Sequence, residues 1–338
     1  GMPASLGSAH VPSRLDAGIP CCQTPRMSDP FQTTVEQAAT LLRAGQLCAF
    51  PTETVYGLGA DATNPDAVLA IYETKGRPRF NPLIVHCADL AMAERLATFS
   101  PLARQLAQSF WPGPLSIVLP LRPGHGLTDI VTAGLDTVAL RVPDHPLALD
   151  LLRAADRPLA APSANPSGKL SPTTAEQVHR GFDGKVPVLD GGPCKAGVES
   201  TILAVDGDRL VQLRAGALSR QQIEGVTGRP VEQAEEGAAI SAPGMLLSHY
   251  APNAGLRLNT TPMPGEAYLA FGPLAPHNSL VRNLSEAGDL HEAARNLFSM
   301  LHELDAMGAQ MIAVAPIPET GLGEAINDRL KRAAAPRA

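Results

Sequence analysis

Three cations stand within five positions of one another, at Lys75, Arg77 and Arg79, in a turn stiffened by Gly76 and Pro78. Positive charges this close repel one another unless an anion lies between them, and ammonium and guanidinium groups hold phosphate oxygens through charge-assisted hydrogen bonds. The alternative is a solvated surface turn, although no acidic residue is interleaved to balance the charge. The turn therefore predicts an anion site, and a phosphate chain suits it.

A second polar stretch, the Ser-Ala-Asn loop (Ala161 to Gly168), follows an apolar segment. Ser163 and Asn165 stand there between Pro162 and Pro166, so two short hydrogen-bonding side chains project from a stiff loop. Such a loop can bind a nucleotide. An ordinary Asn-Pro turn explains the same residues, so the loop alone leaves the choice open.

A third stretch, PTETVYGLGA, alternates Thr52, Thr54 and Tyr56 in a segment expected to be extended, which would aim their hydroxyls to one side at a small polar ligand. Its glycines partly match a dinucleotide-binding pattern, but no helix is expected to open at Gly59, so we do not predict that function.

Two further features are ambiguous by themselves. GVESTI, which contains Glu199 and Ser200, enters a strand, and His86 ends one, where a satisfied core histidine is the commoner case. Loops of the type G-x-x-x-x-G-K-[ST] and the motifs H-E-x-x-H and G-x-S-x-G are absent. Bound ATP would therefore be held without a Walker loop.

The patterns around these stretches predict the elements that position them. Thr33 and Glu36 form a capping box for a first helix, and an apolar strand follows at Leu47 to Phe50. A second helix begins at Asn64 and ends at Gly76, which places the basic turn at a helix exit.

Apolar runs and helical patterns then alternate, which indicates an α/β domain. Asp206-Gly207 between two more runs predicts a hairpin and hence a mixed sheet. The expected strands are Leu83 to Val85, Leu115 to Leu119, Val138 to Val142, Val186 to Leu189, Thr201 to Val205 and Arg209 to Arg214, with helices near Leu102 to Phe110 and Leu147 to Ala154.

A smaller second lobe is predicted to be Rossmann-like α/β, with strands at Tyr268 to Phe271 and Met311 to Ala315 and helices at Leu290 to Met307 and near Glu324 to Arg332. The segment before it lacks periodicity and is expected to be a solvated linker. The predicted organisation is a flexible leader at 1–26, a catalytic domain at 27–228, a linker at 229–255 and a C-terminal domain at 256–338.

Composition supports a globular protein and counts against nucleic acid as the main ligand. The 338 residues exceed one typical core, and 27 Lys and Arg against 33 Asp and Glu leave a net charge of −6, the wrong sign for holding a polyanion. Aromatic residues, which stack single-stranded bases, make up only 4%. We expect no strong direct binding of nucleic acid.

The five cysteines show no CxxC pattern and no zinc-ligand spacing, so reduced thiols are the simpler interpretation and no protein-bound metal is expected. The sequence has neither a membrane-spanning apolar run nor a secretion signal, which makes the cytoplasm the expected location.

The four polar stretches together resemble the YrdC-like family of threonylcarbamoyl-AMP synthases. Its marks, TETVYGLG, K-x-R-P-x-x-x-P-L, S-A-N and E-S-T-I, all occur here in order, within a likeness that covers about Thr33 to Val226. The linker sequence SAPGMLLSHYAP (Ser241 to Pro252) and the second lobe resemble the long, two-domain form of that family.

The resemblance implies a twisted open α/β sheet around a basic cavity. It also implies an enzyme, a nucleotidyltransferase that joins L-threonine to bicarbonate and then to AMP with release of pyrophosphate, using ATP with Mg²⁺. The product, L-threonylcarbamoyl-AMP, would pass to a tRNA-modifying threonylcarbamoyl transferase. The chemistry requires alignment of two anions and charge stabilisation rather than a protein nucleophile.

The resemblance also assigns residues. Lys75 and Arg77 are expected to act catalytically on the phosphates. The ATP-binding set is Lys75, Arg77, Asn81, Ser163, Asn165, Ser171, Arg214, His249 and Tyr250, and the threonine-binding set is Thr52, Tyr56, His86, Thr137, Arg141 and Ser200. His249 and Tyr250 belong to the linker, which would lie over the cavity like a lid.

Two other functions compete with the synthase. One is a module that docks RNA through the basic cavity, against which the net acidity counts. The other is a carbamoyl-adenylate-handling domain like that of hydrogenase maturation factors, for which companion zinc-finger cysteines would be expected.

Overall fold

The computed structural model describes residues 33–337, so the predicted leader lies outside the described residues. A mixed sheet of nine strands, in the order β1-β2-β6-β3-β5-β4-β7-β8-β9, forms the larger domain. Its elements are α1 (Val35–Arg43), β1 (Cys48–Phe50), β2 (Gly57–Asp61), α2 (Pro65–Lys75), β3 (Ile84–His86), α3 (Leu90–Leu96), α4 (Pro101–Phe110), β4 (Leu115–Pro120), β5 (Thr137–Arg141), α5 (Pro146–Ala155), β6 (Leu159–Ala160), α6 (Ala175–Gly181), β7 (Thr201–Asp206), β8 (Arg209–Arg214), α7 (Arg220–Thr227) and β9 (Val231–Gln233).

The second helix forms as the sequence predicts. The Asn64 side chain accepts hydrogen bonds from the backbone N–H groups of Asp66 and Ala67, and Pro65 occupies the first turn. Gly76 ends α2 in the left-handed conformation at φ 64°, which a glycine adopts without a Cβ penalty. The basic turn therefore begins at a fixed helix end.

The first helix is capped one residue later than predicted. Thr34, not Thr33, is its N-cap, and the reciprocal partner is Gln37 rather than Glu36. Both pairs fit the sequence rule for a capping box. With Thr34 as cap, Ala38, Ala39 and Leu42 are buried.

One edge of the nine-stranded sheet collects the polar segments. In the parallel pair β3 and β5, His86 lies beside Arg141 at the carboxyl ends, and the antiparallel neighbour β4 begins there. Since β7 runs parallel to β4 and β8 returns from it, the start of β7 and Arg214 at the end of β8 meet the same edge.

Two predictions about this domain need correction. The run Val186 to Leu189 is not a strand; it contributes an isolated bridge between Ala49 and Val188, because Pro187 has no N–H for a continuous ladder. The expected linker opens with β9, which pairs in parallel with β8.

The smaller domain has a four-stranded sheet, β10-β13-β11-β12, in which all neighbours are parallel, as in the Rossmann-like unit that was predicted. Its elements are β10 (Gly255–Arg257), β11 (Ala267–Ala270), β12 (Val281–Asn283), α8 (Leu290–Ala306), β13 (Met311–Val314) and α9 (Leu322–Ala334). The short strands β10 and β12 were not predicted, because three half-buried residues give no pattern.

Helices α8 and α9 face the larger domain. Ser299 of α8 lies 2.7 Å from the hydroxyl of Thr173, and His302 Nε2 lies 3.1 Å from the carbonyl oxygen of Ser171. Glu324 of α9 pairs with Arg220 at 2.9 Å. Within residues 33–337 no helix is long and apolar enough to cross a membrane.

Candidate active site

A cleft with about 530 Å³ of empty space, part of which is open to solvent, lies at the polar edge of the large sheet. The strand ends, the Ser-Ala-Asn loop and the linker surround it. It is lined by Thr52, Thr54, Val55, Gly57, Arg77, Ile84, His86, Arg141, Ala161, Pro162, Ser163, Glu199, Ser200, Arg214, Pro243, Gly244, His249 and Tyr250.

Buried positive charge distinguishes this cavity. Lys75, Arg77 and Arg214 are exposed by 4%, 8% and 7%, and no carboxylate of the described chain lies within 4.0 Å of any of them. A buried cation without a counter-ion is costly, and its usual remedy is an anion or a shifted pKa. The cavity therefore suits an anionic ligand.

Backbone carbonyls hold these cations in place. Lys75 Nζ donates to the carbonyl oxygens of Ser163 and Asn165 at 2.6 and 2.5 Å, which ties the helix exit to the Ser-Ala-Asn loop. Arg77 Nη2 donates to the carbonyl oxygen of Pro82 at 2.8 Å, and Arg214 Nε donates to that of Ser200 at 3.0 Å.

Desolvation governs the ionisation of these groups. Burial lowers the pKa of Arg77 to about 10 and that of Lys75 well below its ordinary value, with a further lowering of Lys75 by the neighbouring Arg77. An anion in the cavity would raise the pKa values of Lys75 and Arg77 again, because a nearby negative charge favours their protonated, positive forms.

A further arginine of the cavity lining, Arg141, is paired with a carboxylate. Arg141 forms an ion pair with Glu53, and its Nη1 donates to Thr54 Oγ1 at 3.0 Å. The Thr52 and Thr54 hydroxyls lie 2.8 Å apart. Burial lowers the pKa of the nearby His86 to about 4, so this imidazole is uncharged at neutral pH.

The linker covers the cavity from the side of the C-terminal domain. His249 and Tyr250 are buried, with their ring centroids 3.9 Å apart, and the His249 Nδ1 atom has no hydrogen-bond partner among the described residues. Burial and the neighbouring Arg77 lower the pKa of His249 to about 3. A neutral, unpartnered imidazole nitrogen is thus available to a ligand.

The structure places nine of the predicted site residues on the cavity wall: Thr52, Arg77, His86, Arg141, Ser163, Ser200, Arg214, His249 and Tyr250. Lys75 and Asn165 support that wall from behind. The Asn165 side chain donates to the carbonyl oxygens of Pro166 and Lys169. Asn81 accepts from Arg77 through its carbonyl oxygen, while its buried side-chain oxygen has no hydrogen-bond partner within residues 33–337.

Besides Lys75, Asn81 and Asn165, three other predicted residues do not line the cavity. Thr137 begins β5, opposite Pro120 and at the other end of the strand from Arg141. The Tyr56 hydroxyl donates to the carbonyl oxygen of Gly192 at 2.8 Å, and Ser171 Oγ donates to Glu199 Oε1 at 2.5 Å. The extended alternation expected for Thr52 to Tyr56 is replaced by a bend, and this is why Tyr56 faces away.

Sequence reasoning missed Glu199 in the cavity lining, Glu53 behind it and one distant arginine. Glu53 and Glu199 stand inside the recognised stretches, but the hydroxyl and amide residues beside them drew the assignments. Arg329 Nε donates to Glu199 Oε2 at 2.7 Å. Arg329 looks like an ordinary surface residue of a helix, and a separation of 130 positions hides the pairing.

The cavity offers no site for a protein-bound metal. Glu53 is engaged by Arg141, and Glu199 by Arg329 and Ser171. Across residues 33–337, no group of three His, Cys, Asp or Glu side chains is arranged to hold a metal ion. The described thiols Cys48, Cys87 and Cys194 are free and buried.

Known protein families match both domains. The family described as "Telomere recombination" matches residues 40–216, and the family "Threonylcarbamoyl-AMP synthase, C-terminal domain" matches residues 218–335. A threonylcarbamoyl-AMP synthase of Bacillus subtilis is 43% identical over 90% of this chain and 93% of its own length. One from Pyrococcus abyssi is 42% identical over 88% and 92%.

The fold agrees with these relatives. The crystal structure of Pyrococcus abyssi Sua5 complexed with L-threonine superimposes with a TM-score of 0.82 at 40% sequence identity, covering 89% of this chain and 94% of that one. The chain therefore belongs to the threonylcarbamoyl-AMP synthase family, in its long two-domain form.

Proposed function

We propose that this chain is a nucleotidyltransferase that forms L-threonylcarbamoyl-AMP and pyrophosphate from L-threonine, bicarbonate and ATP. The observation that carries the proposal is a group of three buried cations, Lys75, Arg77 and Arg214, that have no carboxylate within 4.0 Å. Arg77 and Arg214 line one cavity, and Lys75 holds the Ser-Ala-Asn loop of its wall. A triphosphate is the kind of ligand that balances such a charge.

The cavity suits two different substrates. Arg77 and Arg214, with Lys75 behind the lining, would hold the phosphates, while Thr52, His86 and Arg141 would hold threonine and its carbamate. Arg141 keeps only part of its charge for a ligand, because Glu53 pairs with it. An amino acid, which carries a carboxylate and an amine, fits a group that combines this partly balanced arginine with the uncharged Thr52 and His86.

The reaction needs positioning more than it needs a protein nucleophile. Threonine's amine must be unprotonated to capture bicarbonate or carbon dioxide, and the carbamate oxygen must then reach the α-phosphate in line with the leaving pyrophosphate. Arg77 and Lys75 would stabilise the negative charge that develops there. The linker would exclude water, which protects a labile carbamate.

Magnesium enters the proposal only with ATP. Glu199 in the cavity lining and Glu53 behind it are both paired with arginines, so the ion would be coordinated by phosphate oxygens and water rather than by a protein cage. It would supply charge neutralisation for the triphosphate.

The test is pyrophosphate release from ATP and Mg²⁺, with threonine and bicarbonate omitted one at a time. We expect release to depend on both. Release that is indifferent to threonine would contradict the proposal. Mass spectrometry of the product, with serine in place of threonine as a control, checks the identity of the adenylate.

The proposed consumer of the product is a tRNA-modifying threonylcarbamoyl transferase, and the proposed location is the cytoplasm, where the three substrates occur together.

RNA docking, the competing function, would give tRNA binding that weakens steeply with salt. With a net charge of −6, we expect no tight tRNA binding at physiological salt.

A further inference from the structure

Arg329 is the largest of the fully buried side chains, with 1% exposure, and it comes from α9 of the C-terminal domain. Its Nε donates to Glu199 Oε2 at 2.7 Å, and its Nη1 donates to the carbonyl oxygen of Ala215 at 2.8 Å. These two acceptors belong to the larger domain, while Asp328 of α9 itself also accepts from Nη1, at 2.8 Å. The guanidinium therefore joins the last helix to the wall of the cavity.

Glu199 is the carboxylate at this contact, and it lines the cavity beside Arg214 and Ser200. Burial alone would raise its pKa, but Arg329 and Arg214 outweigh that effect and hold the pKa below its ordinary value. The carboxylate is thus charged in a cavity suited to anions. Without Arg329, that negative charge would face an anionic ligand with less compensation.

The same guanidinium also contacts the linker. Its central carbon lies 5.1 Å from the centroid of the Tyr250 ring, which packs on Phe298 of α8 at 5.9 Å. Tyr250 has a φ of 59°, in the left-handed region that a bulky residue seldom adopts. Such a conformation persists only where surrounding contacts impose it, and here two of those contacts come from the C-terminal domain.

Packing alone does not account for an arginine at this position. A buried ion pair is often matched or exceeded in stability by apolar residues of similar volume. Arg329 contacts Glu199 and Tyr250, and both of these residues line the cavity. Its contacts therefore point to a role at the site.

We propose that Arg329 is a positioning residue supplied by the C-terminal domain: it offsets the charge of Glu199 beside the anion site and holds Tyr250 over the cavity. The inference rests on the proposed function in that the anion is taken to be ATP. Arg329 does not line the cavity, so it would act through Glu199 and Tyr250 rather than on the substrate.

The experiment uses the full chain with Arg329→Met, Arg329→Lys, Glu199→Gln and the double variant Glu199→Gln/Arg329→Met. We expect Arg329→Met to raise the KM for ATP at least tenfold. Glu199→Gln in that background should lower it again, since it removes the uncompensated charge, and Arg329→Lys should retain more ATP affinity than Arg329→Met.

A matched control is Arg220→Met, which breaks another ion pair between the domains, with Glu324, without placing a charge beside the cavity. It should leave the KM for ATP unchanged. If Arg329→Met does not fold, the double variant carries the test, because it leaves no unpaired Glu199 charge. A double variant that matches Glu199→Gln alone supports the charge-offset role, since Arg329 then acts only through Glu199. A double variant that is more impaired than Glu199→Gln, but by less than the sum of the two single effects, supports the additional contact with Tyr250.

Two outcomes would overturn the inference: an unchanged KM and kcat in folded Arg329→Met, or effects of the Arg329 and Glu199 changes that simply add. An ATP-binding titration of the same variants separates this inference from the proposed reaction. If wild type binds ATP but releases no threonine-dependent pyrophosphate, the proposed function fails, while the coupling between Arg329 and Glu199 is still measured.

Discussion

At the scale of single residues, the sharpest contrast in the basic turn is between Arg77 and Arg79. Arg77 is buried and reaches the cavity, whereas Arg79, two positions away, is exposed. We expect Arg77→Gln to lower kcat/KM for ATP by about 100-fold to 1000-fold, the usual effect of removing one charge-stabilising donor. The matched variant Arg79→Gln should remain within about threefold of wild type, as surface changes rarely have large effects.

Steady-state kinetics of both variants, with thermal unfolding to confirm the fold, test this expectation. Equal losses in the two variants would mean that the positive field of the whole turn, rather than the Arg77 contact, assists ATP. Loss of folding in Arg77→Gln alone would indicate that this arginine has mainly a structural role.

Residue identities at the site could be predicted only where the local sequence carries the signal. Lys75 and Arg77 stand out because their charges crowd a short turn. The resemblance assigned Thr137 to the site but does not show at which end of its strand the residue lies. In the structure it lies at the end of β5 away from Arg141. Arg329 could not be predicted, since its partner Glu199 becomes a neighbour only after both domains have packed.

At the scale of elements, the linker offers a test of how closely it must fit. Gly244 and Gly237 have the same φ of 81°, but a Cβ on Gly244 would lie 2.5 Å from Arg214 Cδ, while nothing lies within 4 Å of one on Gly237. Gly244→Ala should therefore reduce kcat/KM at least tenfold, and Gly237→Ala, with the same backbone penalty, should not. Kinetics with both variants decide; equal effects would show that backbone strain, not fit against Arg214, governs the linker.

Helices and strands could be predicted where cap or turn residues mark their ends, and could not where the local sequence carries no such mark. The cap at Asn64 and the stop at Gly76 fix α2, and Asp206-Gly207 fixes the hairpin of β7 and β8. Strands of three residues such as β9 are set by the neighbouring strand rather than by their own sequence. The linker was expected to be solvated because its composition is polar, yet His249 and Tyr250 are buried.

At the scale of the whole molecule, buried histidines link stability to pH. The pKa values of His86 and His249 are lowered by burial to about 4 and about 3 from an ordinary value of 6.5. The folded state thus binds fewer protons than the unfolded state below pH 6.5. Stability that is fully present above that pH is lost as the pH falls from 6.5 toward these values, by about 1.4 kcal/mol per pH unit for each histidine.

Urea unfolding between pH 7.5 and pH 4.5 measures this loss. His249→Gln should show a shallower decline than wild type, because one of the titrating groups is gone. A free energy of unfolding that stays constant over this range, or an unchanged slope in the variant, would contradict the expectation.

The contact between Glu199 and Arg329 has a consequence for protein synthesis. The cavity wall is translated some 130 positions before the arginine that balances it. Domains generally fold in order as the chain leaves the ribosome. A nascent chain can therefore complete its larger sheet while Glu199 still lacks the positive charge of Arg329. The charge of Glu199 is balanced by Arg329 only after the final helix, α9, has docked.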